Sequence, residues 1–168
     1  MTKISLETRI KAPIGRVFDL SRSIDAHMDS ASSTGETAIA GKTFGLIGLG
    51  ETVTWSAVHF GVRQRLTVEM VTFNRPHSFA DQMVSGAFKS MHHRHEFEAS
   101  GDETLMKDHF EFEAPFGFVG ALVEKLILFD YMRRFLEVRN ARLKVLAEGN
   151  EWQQYLHESR GSPLGRDW

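Results

Sequence analysis

The 168-residue chain is 42% hydrophobic and 25% charged, which is the balance of one water-soluble globular domain with a real core. A net charge of −2 gives no field suited to nucleic acid or an anionic membrane, and the absence of cysteine excludes disulfides, thiolate metal sites and cysteine nucleophiles. The N-terminal MTKISLETRIKAP lacks the apolar centre of a signal peptide, and the apolar run over residues 116–129 is interrupted by Glu124 and Lys125, so a cytoplasmic protein without an integral membrane segment is expected.

The dominant pattern has a period of two. Ile4, Leu6, Thr8, Ile10 and Ala12 alternate with Ser5, Glu7, Arg9 and Lys11, as in a half-buried strand. Pro13 and IGRVFDL then predict a short helix, and a second short helix is expected around residues 23–28. A weak strand signal covers residues 33–40. Stronger ones cover residues 51–60, 62–73, 78–84, 87–99 and 103–114, with Asn74 to His77 and Ser100 to Asp102 as turns. Connections of hairpin length predict an antiparallel sheet of about seven strands.

Pro115 ends the strands and a helical period begins. Val119, Leu122, Val123, Leu126, Ile127 and Phe129 gather on one side, whereas Leu128, Met132, Phe135, Leu136, Leu143 and Leu146 gather on nearly the opposite side. One straight helix cannot present both stripes to one core, so a break, kink or second helix is expected near residues 127–131. Residues 149–168 read as a polar, loosely held tail following a single domain over residues 1–148, although Trp152 and Trp168 could dock.

The loop GLIGLG at residues 45–50 has the spacing GxxGxG. It leads into a strand rather than a helix, so it does not match the dinucleotide fingerprint. Leu46, Ile47 and Leu49 are expected to cover one end of the sheet, either as a fixed lid or as a mobile gate.

Strand parity sorts the histidines of SMHHRHEFEA. Met91, His93, His95 and Phe97 share one face, and His92, Arg94, Glu96 and Glu98 the other, which is plainly the solvated one. The same argument turns Asp108 and Phe110 inward opposite Lys107, Glu111 and Glu113, and places His59 with Trp55. Asp81 and Met83 are also assigned inward, with Phe79. Several ionisable groups on one apolar face must be paired or wet. Three readings stay open: a structural network, the polar fittings of a small-molecule cavity, or a metal or acid–base site. His-x-His places two imidazoles within reach of one ion, but a third ligand, His59 or Asp108, would have to converge. No metal or cofactor is assigned.

Six internal methionines can fill gaps or line an adaptable pocket: Met28, Met70, Met83, Met91, Met106 and Met132. Arg133, Arg134, Arg139, Arg142 and Lys144 read as a solvated basic face on the last helix. There is no G-x-S-x-G elbow, so a serine hydrolase is not indicated.

The stretches GETVTWSAVHFG, LTVEMVTFNRPHSFADQMVSGAFKSMHHRHEFE and RRFLEVRNARLKVLAE, with the element order over residues 3–147, resemble the helix-grip fold of the START-like SRPBCC superfamily, in its bacterial polyketide cyclase/dehydrase-like branch. The resemblance implies an α+β fold in which a curved sheet grips a C-terminal helix around a deep apolar cavity. It carries over no universal catalytic residue. Trp55, His59, Met91, His93, His95, Asp108 and Phe110 would line or underlie that cavity, with Tyr131 facing it. Together with Asp81 and Met83 these form the expected ligand-binding set.

The leading expectation is therefore binding of a small hydrophobic molecule such as a lipid or polyketide. An aromatase/cyclase, dehydratase or hydrolase using cavity His and Asp residues is the enzymatic alternative. A partner-binding module without ligand is the third, and it would require a packed interior and an exposed apolar patch.

Overall fold

The computed structural model describes residues 1–115 and 127–156. Strand β1 (Thr2–Ile10) is followed by helices α1 (Ile14–Ser21) and α2 (Ile24–Ser30) and a single 3-10 turn, Ser32–Thr34. Then come β2 (Thr37–Gly41), β3 (Thr52–His59), β4 (Val62–Asn74), β5 (Ser78–Ser85), β6 (Ser90–Ser100) and β7 (Glu103–Glu113). Helix α3 (Phe129–Glu148) and a short α4 (Trp152–Leu156) close the described chain.

The strands form one antiparallel sheet in the order β1-β7-β6-β5-β4-β3-β2. Tight hairpins set its register. His59 pairs with Val62, so Phe60 and Gly61 form a two-residue loop, and both have positive φ (52° and 75°). That is the turn whose twist matches the flanking strands, and Phe60 occupies a position that ordinarily favours Asn or Gly. Ser100 pairs with Glu103 across a loop of the same length that contains Gly101, also at positive φ. Register shifts between Thr67 and Val68 and between Met70 and Thr72 bend β4 against β5. Such bulges curve a sheet and re-aim its side chains.

Alternation is cleanest on β7, where Thr104, Met106, Asp108, Phe110 and Phe112 are buried and their neighbours are half-exposed. On the concave side, α1 presents Val17, Phe18 and Leu20, all without solvent exposure. The Phe18 ring meets Phe73, Phe79 and Phe97 edge-on, at centroid distances of 5.5, 5.4 and 5.3 Å. Ser23 caps α2, its hydroxyl accepting from the Ala26 N–H at 3.3 Å. Helix α3 lies against β1, α1 and α2. Its buried stripe runs through Met132, Leu136, Arg139, Asn140, Leu143, Leu146 and Ala147.

Three expectations need revision or delimiting. Arg139 does not belong to the solvated basic face; it is only 4% exposed, because it falls seven residues after Met132 on the stripe that faces inward. The first part of the tail is docked. Arg16 stacks on the Trp152 ring with its guanidinium carbon 4.2 Å from the centroid, and the Tyr155 hydroxyl donates to Asp29 at 3.1 Å. The apolar stripe over residues 119–126 and Trp168 lie outside the described residues, so the described helix begins at Phe129, inside the zone where a change of face is expected.

The glycine loop is tied to the junction of α1 and α2. The Gly45 N–H donates to Asp25 at 2.8 Å, the Gly45 carbonyl accepts from Ile24, and Arg22 donates to the Ile47 carbonyl at 3.0 Å. Ile47 is buried, but Leu49 is 63% exposed, so Leu49 does not cover the sheet end.

Candidate functional site

A cavity of about 280 Å³ lies between the concave face of the sheet and α3. Its apolar wall includes Trp55, Val68, Met70, Met91, Phe110 and Leu136. Of the residues singled out by sequence, Trp55, His59, Asp81, Met91, His93, His95, Phe110 and Tyr131 lie on the wall. Asp108 does not: it is fully buried behind the two histidines. Met83 is off the wall too, half-buried against the edge of the core.

The register of β5, β6 and β7 assembles the innermost polar group. Asp81 on β5 sits opposite His93 on β6, and His95 sits opposite Asp108 on β7. Directly opposed residues on one face bring their side chains into contact. His93 Nε2 lies 3.1 Å from Asp108 Oδ1 in hydrogen-bonding geometry. His95 Nδ1 is 2.7 Å from the same oxygen, bent away from hydrogen-bond alignment. From α3, Asn140 Nδ2 donates to Asp108 Oδ2 at 2.6 Å, and Arg139 Nη1 stands 3.8 Å from Oδ1. The imidazoles are 3.9 Å apart between centroids, and Phe79 covers His95 at 4.4 Å.

Burial alone would raise the Asp108 carboxyl, but the neighbouring His95 and His93 outweigh it and hold this group well below the usual carboxylate range. Burial, reinforced by His93, pushes His95 down to about 3 against the pull of Asp108. At neutral pH the centre is thus a carboxylate ringed by N–H donors, with His95 uncharged. Asp81 differs. Its carboxyl is raised by burial, with His93 and Arg139 pulling the other way, and it stands 3.8 Å from His95 Nε2.

Two further polar groups reach the cavity. His27 of α2 stacks on Trp55 at 4.2 Å and places Nε2 3.5 Å from Glu36 Oε1. Burial would raise Glu36, yet His27 overcomes that and the carboxyl is lowered. Farther out, His59 Nδ1 and the Tyr131 hydroxyl are hydrogen-bonded at 2.7 Å, beside the Phe60 ring, which packs on Tyr131 at 4.5 Å and is 55% exposed. Burial lowers His59, with Glu36 opposing.

His27, Glu36, Arg139 and Asn140 were not expected at this site. For Arg139 and Asn140 a signal exists: both fall on the Met132–Leu136–Leu143 stripe. His27 and Glu36 lie in an irregular stretch where no period assigns a face.

A curved antiparallel sheet with a C-terminal helix laid across a partly apolar cavity defines a helix-grip fold of the hydrophobic-ligand-binding kind. The chain belongs to the polyketide cyclase/dehydrase and lipid transport family, within the SRPBCC superfamily, which it matches over residues 1–148. No curated protein matches the chain significantly. Among solved structures, it is similar to CV1439 from Chromobacterium violaceum, with a TM-score of 0.71 at 10% identity, covering 89% of this chain and 100% of that one. TTHA0849 from Thermus thermophilus aligns with a TM-score of 0.66 at 18% identity, covering 84% and 97%. Major latex-like protein 151 from Panax ginseng aligns at 0.65 and 18%, covering 87% and 97%. At these identities the likeness shows the fold alone. No described helix is long and apolar enough to cross a membrane.

Proposed function

We propose that the protein binds a compact hydrophobic molecule in this cavity, with a polar end directed to Asp81, His93, His95 and Arg139. The observation that carries the reading is the division of the wall. Trp55, Met70, Met91, Phe110 and Leu136 offer apolar surface, and the polar groups converge from β5, β6 and α3 at one place. Apolar walls supply most of the affinity in such sites, and a few convergent polar groups fix orientation. A volume of about 280 Å³ suits a small ring system better than a long acyl chain. A cavity of this kind also favours ligand binding over a ligand-free partner module, which calls for a filled interior.

The test is uptake of fluorescent fatty-acid and flavonoid probes, followed also through quenching of Trp55 on the cavity wall. Wild type is expected to take up at least one probe class, preferring the compact flavonoids. His93→Ala/His95→Ala should weaken that uptake. No uptake of any hydrophobic probe by folded wild-type protein would remove the reading.

A second, enzymatic reading has one observation in its favour. Asp81, with its raised carboxyl, and the uncharged His95 stand 3.8 Å apart on the cavity wall. A carboxyl raised by burial beside an uncharged imidazole supplies the two kinds of group, acid and base, that a cyclisation or dehydration needs. The discriminating measurement is turnover of a bound polyketide-like probe. Product formed by wild type and lost in Asp81→Asn would favour catalysis over carriage.

A further inference from the structure

We propose that Asp81, His93 and His95 form a site for a single divalent first-row transition ion, open to the cavity, with Asp108 holding both imidazoles in the ligating orientation. The inference is independent of what organic molecule the cavity takes.

Three ligand atoms, one from each of Asp81, His93 and His95, lie within 4.8 Å of one another. An ion bound at about 2.0–2.2 Å from each would draw such atoms to separations of roughly 3.0–3.5 Å. That requires only a small inward movement. The third ligand therefore comes from β5, not from His59 or Asp108.

The hydrogen bonding makes the case stronger than proximity does. An ionised carboxylate only accepts, so the ring nitrogens facing Asp108, His93 Nε2 and His95 Nδ1, are the protonated ones. In the neutral rings that a metal ion would bind, the remaining nitrogens, His93 Nδ1 and His95 Nε2, carry the lone pairs. His95 Nε2 faces the Asp81 carboxylate oxygen at 3.8 Å, beyond hydrogen-bond reach. An ion bound to both atoms would span this separation with little movement of either side chain.

Asp108 has the part of an outer-shell partner. A carboxylate behind a ligating histidine fixes the tautomer and raises ligand basicity; here Asp108 hydrogen-bonds His93 and stands 2.7 Å from His95 Nδ1, while Asn140 secures its other oxygen at 2.6 Å. The nearby Arg139 charge stands on the Asp108 side, 3.8 Å from that carboxylate, which offsets it. Two imidazoles and one carboxylate favour zinc, ferrous iron, cobalt or nickel over magnesium and calcium, which prefer all-oxygen sites. Three protein ligands leave coordination positions toward the cavity for water or an oxygen of a bound molecule.

The experiment uses full-length, tag-free protein stripped with chelator and dialysed. It is titrated with Co(II), read by visible absorption, and with Zn(II), read by calorimetry. Wild type is expected to bind one ion per chain and to develop Co(II) d–d bands. Asp81→Asn should weaken binding at least tenfold while keeping the wild-type circular dichroism, since it replaces a partly exposed side chain with one of the same shape. Adventitious binding on the outer face would use His109, which stands 3.6 Å from Glu96, and His92, which is paired with Glu111 on the adjacent strand. His92→Ala/His109→Ala should leave affinity unchanged. Absence of stoichiometric binding in wild type overturns the proposal, as does binding that Asp81→Asn leaves intact. Failure of probe uptake with metal binding preserved would strike only the ligand-binding reading.

Discussion

Asn140 of α3 donates a 2.6 Å hydrogen bond to Asp108 of β7, and through it the helix is fastened to the sheet directly behind the histidine pair. The Asp108 carboxylate is fully buried, so it depends on such donors for the solvation that water would otherwise supply. Hydrogen bonds to a charged group are worth about 1.5–3 kcal/mol. Asn140→Ala should lower the unfolding free energy by about that much in urea denaturation with an unchanged m-value. A change below about 0.5 kcal/mol would mean that Arg139 and the histidines already satisfy the carboxylate.

Glu36 gives an acid-sensitive contribution of known sign. It is buried, and its carboxyl is lowered: burial pushes it up, but His27, with smaller contributions from His59 and Arg139, wins. A depressed carboxylate stabilises fully above its unfolded value and loses that contribution as pH falls through the folded one. The stability of wild type should therefore fall below about pH 4.5, by up to about 1.4 kcal/mol per pH unit for this one proton. Glu36→Gln should be less stable than wild type at pH 7, with the difference shrinking as pH drops toward 3. Thermal melts across that range check it, and a difference that grows on acidification would reverse the assignment.

The inward and outward assignment of side chains was legible because period two leaves little freedom: once Arg94 and Glu98 face water, His93 and His95 cannot. Register was not legible. Nothing in the sequence says that Asp81 stands opposite His93 or that Asp108 stands opposite His95, because pairing depends on hairpin geometry and on the bulges in β4. Arg139 was misplaced by treating charge as a guide to exposure, although its position on the apolar stripe pointed the other way. His27 and Glu36 sit where no period exists, so only tertiary packing places them. Asp108 was read correctly as inward, but parity cannot separate a residue that lines a cavity from one sealed behind it.

The docking of α4 predicts a modest effect outside the core. Trp152 stacks under Arg16, which also donates to the Ala147 carbonyl at 3.0 Å. A cation–π contact at a partly exposed site is worth about 0.5–1 kcal/mol, and some apolar burial is lost with the ring. Trp152→Ala should cost about 1–2 kcal/mol in chemical denaturation and leave probe uptake unchanged, since neither side chain lines the cavity. A change in uptake without a change in stability would link α4 to the cavity instead.

Phe18 tests whether the core and the cavity share a wall. The ring has no solvent exposure and meets Phe73, Phe79 and Phe97 edge-on, while Phe79 itself covers His95 at 4.4 Å and lines the cavity. Removing so large a buried ring leaves a hole that its rigid neighbours fill only in part. Phe18→Ala should therefore cost about 3–5 kcal/mol, and Phe18→Leu distinctly less, in denaturant unfolding. The two substitutions should also differ in how they affect the site. With Phe18 reduced to alanine, Phe79 gains room to tilt toward α1 and uncover the His95 ring, whereas leucine keeps it in place. Solvent-proton exchange at the His95 ring N–H, followed by NMR, should rise in the alanine variant and stay near wild type in the leucine variant. Equal protection in both would show that Phe79 is held by the sheet alone and that the aromatic cluster does not set the shape of the cavity.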